Sequence, residues 1–142
     1  MIFTDNDIKN FFENGLGTKN YECVNIGFNI YKMGILEEET QARMILAMYV
    51  RNGVVIGVMS CNEFNNLSQE TQENLAKRTD GRWGNRNSNP ACFFDRDERG
   101  RWGYYGLIEP NSRRSFNEMA EEFCQNALNS MASVVYFGRL FK

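Results

Sequence analysis

Histidine is absent from the chain. With it go Ser-His-Asp and Cys-His catalysis, histidine proton relays, histidine-ligated zinc or haem, and the His-Glu-x-x-His metalloprotease helix. A phosphate loop, a Rossmann glycine fingerprint and an activated-nucleophile motif are missing too. Cys23, Cys61, Cys92 and Cys124 stand far apart with no Cys-x-x-Cys pair, so they read as small buried hydrophobes rather than as zinc ligands or disulfides. No cofactor and no metal is expected, and the expectation is a protein that is not an enzyme. Asp95, Asp97, Glu98 and Glu109 offer carboxylates for acid-base work or a hard cation. A charged hairpin turn accounts for all of them but Glu109.

No apolar run approaches the roughly 20 residues that a bilayer-spanning helix needs, and Met1 to Asp5 lacks a basic stretch leading into an apolar one. A soluble, cytoplasmic protein with no membrane partner is therefore expected. Its net charge of −2 exerts no global pull toward nucleic acid or anionic lipid. At 142 residues, 42% of them hydrophobic, the chain suffices for one domain (1–142) with its own core.

What the chain does have is Asn52-Gly53, set between two apolar runs, Arg43 to Arg51 and Val54 to Cys61. Asn and Gly accept the positive φ angles of a type I′ turn, so this reads as a β-hairpin of fixed register. One face then carries Met44, Leu46, Met48, Val50, Val55, Met59 and Cys61; the other carries Ile45, Ala47, Tyr49, Val54, Ile56 and Val58. Neither face is polar, whereas a half-exposed antiparallel hairpin alternates apolar and polar residues. Both faces are expected to need a cover, from helices, a second sheet or another chain.

Around the hairpin, Thr4 to Asp7 supply a cap and an acidic first turn for a short helix with Ile8, Phe11 and Phe12 on one stripe, stopped by Gly15. Glu22 to Lys32 alternates as a single strand, and Gly34 to Gln41 reads as a solvated connection. Leu67 to Arg78 predicts a largely exposed helix capped by Ser68, followed by a polar loop from Gly81 to Pro90. Cys92 to Arg96 and Arg101 to Ile108 flank a charged turn as a second hairpin. Ser115 and Glu118 form a capping-box pattern at the start of a long helix, with Phe116, Phe123, Ala127, Met131 and Val135 along one side. This order predicts an α+β fold whose antiparallel sheet has about five strands.

Gly-Arg-Trp-Gly occurs twice, at 81–84 and 100–103, within a stretch from Lys77 to Arg114 that holds nine basic and five acidic residues. Rings that stack on bases and guanidinium groups that meet phosphates make Arg82, Trp83, Arg101, Trp102 and Tyr104 candidates for binding single-stranded nucleic acid. Against this stands the ordinary use of Arg and Trp in hairpins, an aromatic body packed on the sheet with the charge at its rim.

The stretches Cys61-Asn62-Glu63-Phe64-Asn65-Asn66, Phe93-Phe94-Asp95-Arg96-Asp97-Glu98-Arg99-Gly100 and the helix from Ser115 resemble the type III secretion chaperone-like fold and the bacterial putative sensory transduction regulators, the YbjN-like proteins. That resemblance implies a non-enzymatic α+β domain, commonly a homodimer, that acts by binding another protein or peptide. Tyr49, Val54, Ile56, Val58, Trp83 and Trp102 are the partner-binding candidates, with the nucleic-acid module as the alternative.

Overall fold

The computed structural model describes residues 1–79 and 92–141. Asn52 at φ 53° and Gly53 at φ 77° close the expected tight turn, joining β3 (Arg43–Arg51) to β4 (Val54–Ser60). Leu46 pairs with Met59, Val50 with Val55 and Tyr49 with Ile56, so the two apolar faces fall as the alternation predicts.

The rest of the sheet grows outward from this hairpin. β1 (Glu22–Asn25) and β2 (Asn29–Leu36) lie on one side of it, β6 (Trp102–Ile108) and β5 (Cys92–Arg96) on the other, in the antiparallel order β1-β2-β3-β4-β6-β5. The fold is α+β, with six strands among the described residues rather than about five. The additional strand arises because Glu22 to Lys32 is a hairpin in its own right and not one strand. Gly27 takes φ 97°, the Asn25 side chain accepts from the Gly27 N–H at 3.1 Å and donates to Asn29 at 2.8 Å, and the chain reverses. Local asparagine chemistry overrides the alternation of Val24, Ile26, Phe28 and Ile30.

The helical elements follow the sequence with small shifts. Asp5–Asn10 (α1) runs into a π-helical turn at Phe11–Gly15, and the Thr4 N–H donates to Asp7 at 2.8 Å. A short helix not expected from the sequence, α2 (Asn62–Asn65), follows β4. In α3 (Gln69–Thr79) the Ser68 hydroxyl accepts from the Thr71 N–H at 3.2 Å, and Gln72, Leu75 and Ala76 are buried, so this helix is less exposed than its composition suggests. The Ser115 hydroxyl caps α4 (Phe116–Leu140) by accepting from the Glu118 N–H at 3.1 Å.

All these helices lie on one side of the sheet. Phe116 of α4 meets Phe3 and Phe11 with ring centroids 4.9 and 6.1 Å apart, Phe64 of α2 meets Phe94, and the Tyr31 hydroxyl donates to Asp5 at 3.2 Å. Met44, Leu46, Met48, Val55 and Met59 are fully buried beneath them. Near its end α4 is tied down by Arg139, which donates to both carboxylate oxygens of Glu63 at 2.6 and 2.8 Å and to the Thr40 carbonyl at 2.8 Å.

The segment from Gly34 to Gln41 is not a simple solvated connection. β2 continues to Leu36, and Glu37 is only 9% exposed. Its carboxylate accepts from the Glu39 N–H at 2.9 Å, the Thr40 N–H at 2.7 Å and the Thr40 hydroxyl. Burial works against its charge, but these hydrogen bonds, with Arg139 nearby, outweigh it and hold its pKa below the ordinary 4.5. A depressed carboxylate pKa adds stability that is present above the unfolded-chain value and is lost as pH falls through the lowered native value. Glu37→Gln is therefore expected to lose about 1–2 kcal/mol at pH 7. Urea titrations at descending pH should show that difference closing once Glu37 itself is protonated; a difference constant down to the acid limit would contradict it.

Candidate protein-binding face

Because every helix among the described residues sits on one side, the opposite side of the sheet is open among them. Its alternation is inherited strand by strand. Ala47 pairs with Val58, Val58 with Tyr105 and Tyr105 with Phe93, making one row across four strands. Tyr49, Ile56 and Leu107 make the next, and Arg51 with Val54 the row at the hairpin end. Ile45 is 37% and Leu107 44% exposed, while Ala47, Tyr49, Val54, Ile56, Val58 and Tyr105 are half-buried by their neighbours within the sheet. The face is apolar over its centre.

Aromatic rings cross that centre. Phe28, in the turn between β1 and β2, leans on Tyr49 with ring centroids 5.1 Å apart, and Tyr105 stacks with Phe93 at 6.2 Å. The Tyr49 phenol has a raised pKa because burial penalises its charged form, with Arg51 acting the other way. Burial, then the negative charge of Asp97, Tyr49 and Asp95, pushes Tyr105 up to about 12. Both phenols stay protonated at neutral pH, so the two rings present hydroxyl donors rather than charge.

The structure brings together four of the six partner-binding candidates, Tyr49, Val54, Ile56 and Val58. Trp102 is not among them. It begins β6 on the helix side, 8% exposed, with the Arg96 guanidinium 4.8 Å from its ring, because Met59 pairs with Tyr104 and so turns Trp102 and Tyr104 inward together. Tyr104 is 2% exposed and stacks with Phe123 at 6.5 Å. Neither ring lies where a base can stack, which takes from the nucleic-acid alternative two of its three aromatic residues. Arg101 is exposed and donates to the Asn62 side chain at 2.5 Å. Arg82, Trp83 and the loop from 81 to 90 lie outside the described residues.

Three of the cysteines are buried as expected, and burial raises Cys92 to about 11 and Cys124 to about 12. Cys23 is a correction: it lies exposed in the edge strand β1. Asp97 serves the β5–β6 turn, accepting from the Arg99 and Arg101 N–H groups, both at 2.9 Å. Among the described residues no three acidic or cysteine side chains converge on a point where a metal ion would sit, and no helix is long and apolar enough to cross a membrane.

Tyr105 and Leu107 are members of the open face that the sequence did not single out. Their place depends on β6 pairing with β4, a contact between segments about 50 residues apart that no local pattern encodes. Comparison of the chain with protein-family models, with curated proteins and with solved structures finds no match in any of the three.

Proposed function

We propose that this protein is a non-enzymatic, cytoplasmic protein-interaction module of chaperone-like or regulatory type, in line with the resemblance to the sensory-regulator family, and that it binds another polypeptide through the open face of its sheet. One observation carries the reading: a hairpin apolar on both faces has all its described helices on one side. Ile45 and Leu107, both exposed on the other side, forgo part of the roughly 1.5–3 kcal/mol that full burial of such a side chain supplies. A contiguous apolar patch rimmed by polar residues is the kind of surface that binds another protein. The centre of the face is aliphatic, with Val54, Ile56, Val58 and Leu107, which suits the apolar core of a protein interface better than it suits base stacking.

A photoreactive phenylalanine analogue placed at Leu107 is expected to form a covalent adduct with a polypeptide in the native cell, and the same group at Glu121, on the exposed side of α4, is not. Loss of the Leu107 adduct on adding Ile56→Asp would support the face as the site. Equal labelling from both positions, or none from Leu107, would remove it.

A further inference from the structure

We propose that Asn52 is a site of spontaneous covalent modification, at which the side-chain amide is lost as ammonia and the hairpin tip converts to aspartate and isoaspartate; the chemistry does not depend on the open face binding a partner. Asn-Gly occurs twice in the chain, at Asn14-Gly15 and at Asn52-Gly53. The reaction is the same at any such pair. The glycine nitrogen, with no Cβ beside it to hinder approach, attacks the asparagine Cγ. Its proton passes through water to the amide nitrogen, the Cγ–N bond breaks, ammonia leaves and a five-membered succinimide remains. Water then adds to one of the two ring carbonyls. Opening on one side gives aspartate in a normal chain, and opening on the other gives isoaspartate, in which the main chain runs through the side-chain carbon. No oxidant, reductant or cofactor takes part.

Residue type makes the two pairs equivalent, and the structure separates them. Asn14 and Gly15 lie in the π-helical turn Phe11–Gly15, where the Asn14 side-chain nitrogen donates to the Asn10 side chain at 2.5 Å and the Leu16 N–H to the Phe11 carbonyl at 2.8 Å. A Cβ at Gly15 would come within 2.7 Å of the buried Phe11 ring, so the backbone there is packed as well as hydrogen-bonded. Asn52 is placed differently. It is exposed, and among the described residues its side chain makes no hydrogen bond and the Gly53 N–H has no acceptor, since the strand pairing stops at Arg51 and Val54. From outside, the tip is held by the Phe3 N–H, which donates to the Gly53 carbonyl at 2.8 Å, and by Ile2, which lies against Gly53. The succinimide needs a backbone conformation at Asn52 other than that of the closed turn, with its φ of 53°, so the tip must open for the ring to form. Opening it disturbs a few residues, whereas freeing Asn14 unwinds a cooperative helical end that carries Phe11 and Phe12 in the core. The two products then act differently on the fold. Aspartate accepts positive φ as asparagine does, so it keeps the turn and adds a negative charge beside Arg51. Isoaspartate lengthens the main chain by a methylene in a loop whose length fixes the pairing of Arg51 with Val54. The strain falls on that end row of the sheet and on the Phe3 contact with Gly53.

Peptide mapping by mass spectrometry tests the proposal on the purified full chain, incubated at mildly alkaline pH both folded and unfolded in urea, with electron-transfer fragmentation to tell isoaspartate from aspartate. In the folded chain Asn52 is expected to convert at least about tenfold faster than Asn14, the factor that a difference of ~1.4 kcal/mol in opening free energy supplies. In the unfolded chain the two sites are expected to convert at similar rates, because only residue type then distinguishes them. The isoaspartate form, separated by chromatography, is expected to exchange its amide hydrogens faster at Phe3 and Val54 than the unmodified chain, while Asn52→Asp exchanges them as the unmodified chain does. A folded Asn52 that stays intact while the unfolded chain converts, or a folded Asn14 that reacts as fast as Asn52, would overturn the proposal. An isoaspartate form with unchanged exchange at the tip would overturn the structural consequence drawn from it.

Discussion

Phe123→Ala is expected to destabilise the fold by about 3–5 kcal/mol, and Gly106→Ala by about 1–3 kcal/mol, with the two effects strongly non-additive. Phe123 is 3% exposed and lays its ring over the place where Gly57 and Gly106 pair across β4 and β6. A Cβ at Gly57 would come within 2.6 Å of that ring, and one at Gly106 would overlap it. The two glycines thus form a recess in the floor of the sheet that only a flat ring fills. Once the ring is gone, a methyl group at 106 occupies part of the recess, so Gly106→Ala should become nearly neutral in the Phe123→Ala background. Urea unfolding of both single variants and the double variant measures the coupling, and a simply additive result would show that the ring is not seated on the glycines. The same recess seats α4 on the face it covers, and the other face is left open among the described residues.

Asn65→Ala is expected to cost about 2–3 kcal/mol, more than an ordinary helix-end asparagine. Its side-chain oxygen accepts from the Trp102 N–H at 2.8 Å, and its side-chain nitrogen donates to the Trp102 carbonyl at 3.0 Å. The amide thereby acts as a one-residue strand, completing the hydrogen bonding of β6 beyond the last pair that β4 supplies, Met59 with Tyr104. Removing it leaves a partly buried donor and acceptor unmatched. Asn65→Asp keeps the acceptor but sets a carboxylate against the Trp102 carbonyl, so it should be no better than alanine. Thermal unfolding of both variants, with Trp102 fluorescence reporting its surroundings, checks this; a loss under 0.5 kcal/mol for alanine would show that water replaces the amide at no net cost.

Much of the fold was legible because its signals are local. Asn52-Gly53 needs only two residues able to take positive φ, and the period of two around it sorts thirteen side chains onto two faces without reference to the rest of the chain. Ser115 and the apolar side of α4 are legible for the same reason, a cap and a helical period. The reading of Glu22 to Lys32 as one strand failed because alternation and turn chemistry compete there, and the side-chain bonds of Asn25 prevail. The inward turn of Trp102 was hidden for a different reason. Its parity is set by the pairing of β6 with β4 and by Asn65, partners 37 or more residues away.

By itself, then, the sequence determined that this chain contains a hairpin with two apolar faces, a long amphipathic helix and no histidine-based chemistry, since each is a property of residue type and spacing. Which face the helices take, which aromatic residues remain outside, and that the N-terminal Phe11 and Phe12 join α4 on the same side rather than covering the other, only the tertiary structure decided. Hydrophobic burial is non-directional and favours either face alike. The choice between them falls to shape, and the recess at Gly57 and Gly106 that receives Phe123 exists only when β4 and β6 are side by side.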